Sequence, residues 1–207
     1  SIRRQRQMCI RDRYPIKTVG CRRCGLVFLN PRMTAAAYGR FYQGTYRPLV
    51  SAFLGRLIDA QTIQSEQRDY AANCGDLLAP FIEDAGFITL LDIGGSTGVV
   101  AQSLASRFNF QATLIDPSPS ETAQAKASEI EIISGLVEEI DLAQRRFDVI
   151  TLCQTVDHLL DVSGTLSRVR ELITEQGLFF VDIVDFQRAY RKGSTGAGGI
   201  KIAQPYY

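Results

Sequence analysis

The sequence predicts an α/β fold built on a doubly wound, mainly parallel sheet of about five strands. Strands are predicted from five continuous apolar runs, which lie near residues 88–93, 111–116, 130–134, 147–153 and 177–184. Helical patterns alternate with them near 97–108, 118–128 and 161–174. Continuous apolar strands are typical of a sheet covered by helices on both faces, and right-handed crossovers then give a Rossmann-like arrangement.

The first of these strands ends in a glycine-rich turn. Asp92 closes the apolar run, and Gly94, Gly95 and Gly98 follow directly. Because glycine has no side chain, such a turn lets the backbone approach a ligand closely. The second strand ends in Asp116, 24 residues after Asp92. Two acidic strand ends around a glycine turn suit a ligand with a ribose and an amino-acid moiety.

The segment from Asp92 to Gly98 resembles the first motif of the class I S-adenosylmethionine-dependent methyltransferases. The resemblance continues in order and with similar spacing over roughly residues 86–185. Its later segments are residues 115–118, 147–150, 154–159 and 172–181. Ser96 departs from the family pattern because it occupies the place of the middle glycine, and we expect Gly95 beside it to relieve the same crowding. The resemblance implies a methyltransferase with S-adenosylmethionine as its cofactor.

A nicotinamide-dependent dehydrogenase is the alternative enzyme class for a turn of this kind. Its fingerprint is Gly-x-Gly-x-x-Gly, which, counted from Gly94, requires glycines at Ser96 and Val99. The observed spacing therefore disfavours NAD.

The resemblance implies a role for each residue of the turn. Asp92 would order the turn and a water at the methionine end of the cofactor. Gly94, Gly95, Ser96 and Gly98 would pass beneath the methionine carboxylate and the ribose, near a helix N-terminus that favours negative charge.

Further cofactor contacts are implied at the ends of the other strands. Asp116, followed by Pro117, would accept hydrogen bonds from the ribose hydroxyls, and the alternative is a cap for the helix that follows. Leu136 would contact the adenine, with core packing as the alternative. Cys153 and Gln154 follow the fourth strand at the edge that faces the ligand, where Gln154 could also contact the substrate. Methyl transfer from a sulfonium needs no enzyme nucleophile, so Cys153 is expected to be a small apolar residue.

His158 is the only histidine of the chain and follows the fourth strand of the predicted sheet. A histidine titrates near neutrality and can take a proton from a substrate, whereas the alternative is a side chain that pins the following helix. The resemblance also implies that the segment with Tyr38, Tyr42, Tyr46 and Arg47 caps the cofactor. Core packing explains the spacing of Tyr38 and Tyr42 equally well.

Cys21 and Cys24 form a Cys-x-x-Cys pair in a segment that resembles the amino-terminal cysteine knuckle of one methyltransferase subgroup. A closed structural zinc site needs four ligands, and the sequence has no second such pair. We therefore expect no stable zinc in this chain and a structural zinc in an intact parent. Two free thiols in a turn are the alternative, and Cys74 is expected in the core.

Four regions are predicted along the chain. They are residues 1–13, which are expected to be non-native because residues 8–13 resemble a translated sequencing adaptor; 14–50, the cysteine knuckle and a linker; 51–86, a helical segment; and 87–207, an S-adenosylmethionine-binding domain. We expect a fragment cut at both ends, since the family's sheet has seven strands. Helical patterns cover 33–45 and 51–85, with an interruption at Pro48 and a break at Asn73-Cys74-Gly75.

Composition sets further bounds. The chain has 207 residues, of which 45% are hydrophobic, and this is enough for a proper core. A net charge of +1 gives no electrostatic case for nucleic acid, and no apolar run approaches the roughly 20 residues of a membrane-spanning helix. Five cysteines at uneven spacing favour a reducing compartment, so we expect a cytoplasmic protein.

The predicted function is methyl transfer from S-adenosylmethionine to a small-molecule acceptor. The subgroup implies a sugar, a nucleotide-linked sugar or a secondary metabolite. Two hypotheses of other classes stay open: a non-catalytic zinc-ribbon module that binds nucleic acid through residues 14–32, and an inactive fragment that keeps the fold. The oligomeric state is not predicted.

Overall fold

A computed structural model describes residues 17–23, 27–83, 85–125 and 129–183. The chain divides into two compact units, residues 1–40 and 41–207. In the first unit, strands β1 (Lys17–Gly20) and β2 (Val27–Asn30) pair antiparallel, and helix α1 (Ala35–Arg40) follows. The Oγ1 of Thr34 accepts a hydrogen bond from the N–H of Ala37 at 3.3 Å, as expected for a residue that caps a helix.

The second unit begins with helices. They are a π-helical turn (Phe41–Thr45), α2 (Tyr46–Leu54), α3 (Ala60–Glu66) and α4 (Arg68–Ile82). The predicted interruption at Pro48 is wrong, because Pro48 lies in the first turn of α2, where its missing N–H has no partner to lose. Helix α2 ends instead at Gly55, whose φ of 69° is the left-handed conformation that glycine adopts readily.

The predicted break at Asn73-Cys74-Gly75 is also wrong. All three residues lie inside α4, and Cys74 is buried in the core as expected. Gly75 packs closely against the neighbouring helix, since a Cβ at this position would lie 3.0 Å from Nη1 of Arg107. The chain breaks before α3 instead, where the Oδ1 of Asp59 accepts a hydrogen bond from the N–H of Thr62 and starts that helix.

The rest of the second unit alternates strands and helices. In order these are β3 (Thr89–Ile93), α5 (Val99–Phe108), β4 (Gln111–Asp116), α6 (Pro119–Thr122), β5 (Glu131–Ser134), β6 (Phe147–Cys153), a 3₁₀ turn (Val156–His158), α7 (Val162–Leu172) and β7 (Ile173–Asp182). Helix α6 is shorter than the predicted 118–128, of which residues 126–128 lie outside the described part. Strand β7 starts earlier than predicted, directly after α7.

The five strands form one parallel sheet in the order β5-β4-β3-β6-β7, which confirms the predicted fold class. One apolar cluster packs α4 and α5 against the sheet and includes Leu78, Leu90 and Leu104. A second packs α7 against the opposite face and includes Leu91 and Leu172. Among the described residues, no helix is both long and apolar enough to cross a membrane. From β3 the chain adds strands first on one side of the sheet, with β4 and β5, and then on the other, with β6 and β7. The carboxyl ends of β3, β4 and β6 therefore border the crevice where such sheets bind ligands.

Asp148 ties the amino-terminal end of β3 to β6. Its Oδ2 accepts hydrogen bonds from the N–H groups of Ile88 and Thr89, at 2.9 and 3.0 Å, and from the hydroxyl of Thr89 at 2.9 Å. Burial opposes ionisation of Asp148, but these hydrogen bonds outweigh it and lower the pKa of the carboxyl.

Replacing Asp148 with alanine should lower the free energy of unfolding at pH 7 by about 1–3 kcal/mol, because three donors lose a charged acceptor. A carboxyl whose pKa is lowered by folding stabilises the fold at pH values above its pKa in the unfolded chain. This contribution is lost as the pH falls through its pKa in the folded protein. Urea unfolding at pH 7 and pH 3 should therefore show a difference between wild type and Asp148→Ala that shrinks at pH 3. The surface variant Asp76→Ala is the control, and an equal effect of the two substitutions at pH 7 would contradict the assignment.

Candidate functional site

The glycine turn after β3 has the backbone conformation that its sequence predicts. Gly94 and Gly98 have φ values of 71° and 76°, and the N–H of Gly94 donates to the carbonyl of Ile115 at 2.7 Å. A Cβ at Gly94 would lie 2.4 Å from Cγ2 of Thr155, so only glycine lets the turn pack against the segment after β6. Ser96 also has a positive φ, of 51°, which is uncommon for a residue with a side chain.

Asp92 is fully buried beneath this turn. The hydroxyl of Thr151 donates to its Oδ1 at 2.7 Å, whereas its Oδ2 has no hydrogen-bond partner among the described residues. A Cβ at Gly95 would lie only 2.1 Å from that Oδ2, so a side chain at this position and the carboxylate exclude each other. Burial raises the pKa of Asp92 to about 6; the hydrogen bond from Thr151 opposes the increase and the charge of Asp116 adds to it.

Asp116 links the glycine turn to the start of α6. Its Oδ2 accepts from the N–H of Ser96 at 2.9 Å, and its Oδ1 accepts from the N–H of Ser118 at 2.8 Å. Burial raises the pKa of Asp116, and the two N–H groups oppose that increase. Each carboxylate oxygen has a second lone pair, so the contact with the start of the helix and a contact with a ligand are compatible.

An ion pair that the sequence analysis missed borders the same turn. Glu121, at the start of α6, accepts from Nε and Nη2 of Arg47 at 2.8 and 2.6 Å and from the hydroxyl of Ser96 at 2.9 Å. Burial opposes ionisation of Glu121, but Arg47 and Ser96 outweigh it and lower the pKa of the carboxyl. Ser96, the departure from the family motif, thus connects the turn to α2. In the sequence, Glu121 is indistinguishable from an ordinary acidic residue in a first helical turn.

The residues predicted to contact the adenine and ribose lie beside Asp116. The N–H of Gly135, after β5, donates to the carbonyl of Asp116 at 3.1 Å. Pro117 is exposed, and Leu136 is 38% exposed while its neighbour Val137 is buried in the core. Core packing therefore involves Val137, which leaves the side chain of Leu136 accessible at the edge of the crevice.

The end of β6 carries Cys153 and Gln154. Cys153 is buried in the same core cluster as Cys74, and the hydrogen bond that its thiol donates to Cys74, together with burial, raises the pKa of that thiol. Gln154 has a φ of 54°, and its side-chain amide donates to Oδ2 of Asp182, which also accepts from the hydroxyl of Tyr70 at 2.8 Å. Gln154 thus lies at the carboxyl edge of the sheet, where the sequence places it, but its side chain is hydrogen-bonded to Asp182.

His158 ends the 3₁₀ turn after β6. Its Nδ1 lies 2.5 Å from the hydroxyl oxygen of Tyr42, and the two rings meet edge to face with centroids 5.7 Å apart. The Oδ2 of Asp157 lies 3.8 Å from its Nε2. Within the described part of the chain, the imidazole bonds to Tyr42 and makes no hydrogen bond to helix α7, the element that the anchoring alternative requires.

The cysteine knuckle is described only in part. Cys21 follows β1 and is partly buried, while Cys24 lies outside the described residues. Among the residues that the structure describes, no group of three or more histidine, cysteine, aspartate or glutamate side chains could hold a metal ion. A structural zinc in an intact parent stays a prediction.

The fold and the site together define a class of protein: a doubly wound domain with a glycine turn and two acidic strand ends at its switch point. The family model described as "Methyltransferase domain" matches residues 39–194. The chain belongs to this methyltransferase family.

The curated relatives are also named as methyltransferases. The chain is 30% identical over 138 residues to a ubiquinone biosynthesis O-methyltransferase of Bradyrhizobium diazoefficiens, which covers 64% of this chain and 50% of that protein. It is 31% identical over 104 residues to the same-named enzyme of Azorhizobium caulinodans, covering 47% and 41%. The chain thus spans about half the length, or less, of these relatives.

Solved structures share the fold. The plantazolicin methyltransferase BpumL in complex with SAH has a TM-score of 0.61 at 12% identity and covers 76% of this chain and 60% of that one. The PH0226 protein from Pyrococcus horikoshii OT3 has a TM-score of 0.54 at 18% identity, covering 61% and 58%. At these identities the likeness concerns the fold alone.

Replacing Asp92 with asparagine should stabilise the ligand-free protein at neutral pH. A carboxyl whose pKa is raised by folding stabilises the fold at pH values below its pKa in the unfolded chain. This contribution is lost as the pH rises through the folded-state pKa of about 6. The asparagine side chain cannot ionise, so the variant should exceed wild type by about 1–2 kcal/mol in free energy of unfolding at pH 8 and match it at pH 4.

Urea unfolding at both pH values measures this difference. The exposed carboxylate variant Asp76→Asn is the matched control and should show no such pH-dependent gain. A less stable Asp92→Asn protein at pH 8 would contradict the account of this buried carboxylate.

Proposed function

We propose that the chain binds S-adenosylmethionine and that the intact protein transfers its methyl group to a small-molecule acceptor. The observation that carries the proposal is the glycine turn between two buried carboxylates, Asp92 and Asp116, at the switch point of a sheet in a methyltransferase-family chain. Neither the NAD-dependent nor the nucleic-acid hypothesis has comparable support.

The residues at the turn fit this cofactor. The Oδ2 of Asp92 is buried without a partner among the described residues, which suits an ordered water or a donor on the ligand. Asp116 would accept from the ribose hydroxyls, Leu136 would lie against the adenine, and the turn from Gly94 to Gly98 would run beneath the methionine end. Asp92, Asp116 and Glu121 place acidic groups around a ligand whose sulfonium is positively charged.

The bound cofactor would supply a methyl group on sulfur that is already activated for displacement. The work left to this chain is therefore positioning: it binds both ligands, orients them in line and keeps water out. Gln64 contributes by placing α3 over the turn, since its side-chain amide donates to the carbonyl of Thr97 at 3.3 Å. Such positioning accounts for several kcal/mol of barrier lowering in many enzymes.

The names of the curated relatives support one class of acceptor. Their printed names describe O-methyltransferases of ubiquinone biosynthesis, which supports a hydroxyl group on a small molecule as the acceptor here. The sugar and secondary-metabolite acceptors implied by the sequence are compatible with this hydroxyl chemistry. The rings of Phe41, Tyr42 and Tyr46, with centroids 5.0–5.7 Å apart, form an aromatic surface beside His158 on which an apolar part of the acceptor could pack.

Calorimetry should detect binding of S-adenosylhomocysteine (SAH), the demethylated cofactor. Asp116→Ala should weaken binding by about 1–3 kcal/mol, or about 5–150-fold in Kd, because the ribose hydroxyls lose a charged acceptor. Asp76→Ala, far from the turn in sequence and exposed, is the control and should bind as wild type does. Binding of NAD without binding of SAH would overturn the proposed cofactor.

A further inference from the structure

A tyrosine from the amino-terminal helices holds the only histidine of the chain. The hydroxyl oxygen of Tyr42 and Nδ1 of His158 are 2.5 Å apart, although the two residues are separated by 116 positions. Tyr42 is itself held in a ring cluster, with the Phe41 centroid at 5.3 Å and the Tyr46 centroid at 5.0 Å. The ring cluster therefore fixes the position of the Tyr42 hydroxyl beside the imidazole.

The histidine is also attached to the candidate cofactor turn. Its backbone N–H donates to the carbonyl of Thr155 at 2.9 Å. The hydroxyl of Thr155 lies between two carbonyl oxygens, that of Cys153 at 2.9 Å and that of Gly94 at 3.3 Å, so Thr155 also contacts the turn. Three consecutive contacts thus connect Tyr42, His158, Thr155 and the glycine turn. The imidazole lies at the carboxyl end of β6, on the side of the crevice where an acceptor would approach the methyl group.

We propose that Tyr42 positions His158 as the proton acceptor for the methylated hydroxyl, by accepting a hydrogen bond from Nδ1–H. This inference rests on the proposed function and deepens it. With the proton held on Nδ1, the Nε2 lone pair is free to take a proton. Within the described residues, Nε2 has no hydrogen-bond partner, because the Asp157 carboxylate at 3.8 Å is beyond hydrogen-bonding distance.

The surroundings of His158 also stabilise the imidazolium that forms when Nε2 takes the proton. Once Nε2 is protonated, the imidazolium donates through Nδ1 to Tyr42, and Asp157 faces the new N–H with a negative charge. The opposite orientation, in which Tyr42 donates to Nδ1, would leave the proton of the neutral ring on Nε2 and would prevent it from acting as a base.

The acceptor hydroxyl gives its proton to Nε2, and its oxygen forms a bond to the methyl carbon. The bond between that carbon and sulfur breaks, and its electron pair stays on sulfur. The products are the methyl ether, SAH and an imidazolium that later releases its proton to water.

The single histidine makes a direct test simple. With ¹⁵N-labelled histidine and no affinity tag that contains histidine, the two ring nitrogens give one pair of NMR signals at pH 8. The proposal expects Nδ1 protonated and Nε2 unprotonated in the wild-type chain. Tyr42→Phe, which keeps the ring packing, should lose this preference. An Nε2–H tautomer in the wild type, or an unchanged tautomer in Tyr42→Phe, would overturn the proposal.

A double-mutant cycle in a methyl-transfer assay, with a small hydroxyl-bearing molecule as the acceptor, separates positioning from structure. Tyr42→Phe should lower kcat by about tenfold and His158→Gln by about 10²–10⁴-fold, and the double variant should equal His158→Gln. Additive effects of the two substitutions would contradict the pairing.

Calorimetry with SAH keeps the two proposals apart. All three variants should bind SAH within about twofold of wild type, since the proposed role concerns the acceptor proton and Phe keeps the ring that a cofactor-capping segment would present. If no variant and no wild-type chain binds SAH, the proposed function fails, while the NMR measurement still decides whether Tyr42 sets the tautomer of His158. A loss of SAH binding in Tyr42→Phe alone would assign Tyr42 to the cofactor site and overturn the positioning role.

Discussion

The buried carboxylate of Asp92 is the constraint on which the rest of the site depends. It ends the central strand β3, bonds through one oxygen to Thr151 on β6, and directs the other oxygen at a position where only Gly95 fits. Burial raises its pKa to about 6, so at neutral pH the fold carries an ionised group in an apolar environment. Functional sites often contain groups that lower the stability of the fold in this way, because the geometry that a ligand needs is not the most stable one for the ligand-free protein.

The helices before the sheet are attached to this edge by two side-chain pairs. On one side Arg47 and Glu121 form a largely buried bidentate pair, whose side chains are 18% and 11% exposed. On the other side Tyr42 bonds to His158. Since Tyr42 and Arg47 are five residues apart, one short segment of chain contacts both borders of the crevice. Removing one member of the buried ion pair would deprive the other of its bidentate partner, so this attachment is costly to break.

The sequence was informative where one physical pattern dominates. Strand positions followed from continuous apolar runs, and Asp92 and Asp116 were placed because parallel strands end at a common edge. The helix break was misplaced because Asn73-Cys74-Gly75 has turn-forming residues, whereas in the fold these residues lie inside α4 and Gly75 packs closely against the side chain of Arg107. The Arg47–Glu121 and Tyr42–His158 pairs join residues 74 and 116 positions apart. No periodicity or spacing signals such pairs, so only the folded structure reveals them.

A crystal structure of the chain with SAH tests the central claim most directly. The account predicts the ribose hydroxyls within hydrogen-bonding distance of the Asp116 carboxylate, the adenine against Leu136 and the methionine end over the turn from Gly94 to Gly98. The unpartnered oxygen of Asp92 should then accept a hydrogen bond from the ligand or from an ordered water. SAH bound elsewhere, with the Asp116 carboxylate bonded to Ser96 and Ser118 and to no ribose hydroxyl, would contradict this arrangement.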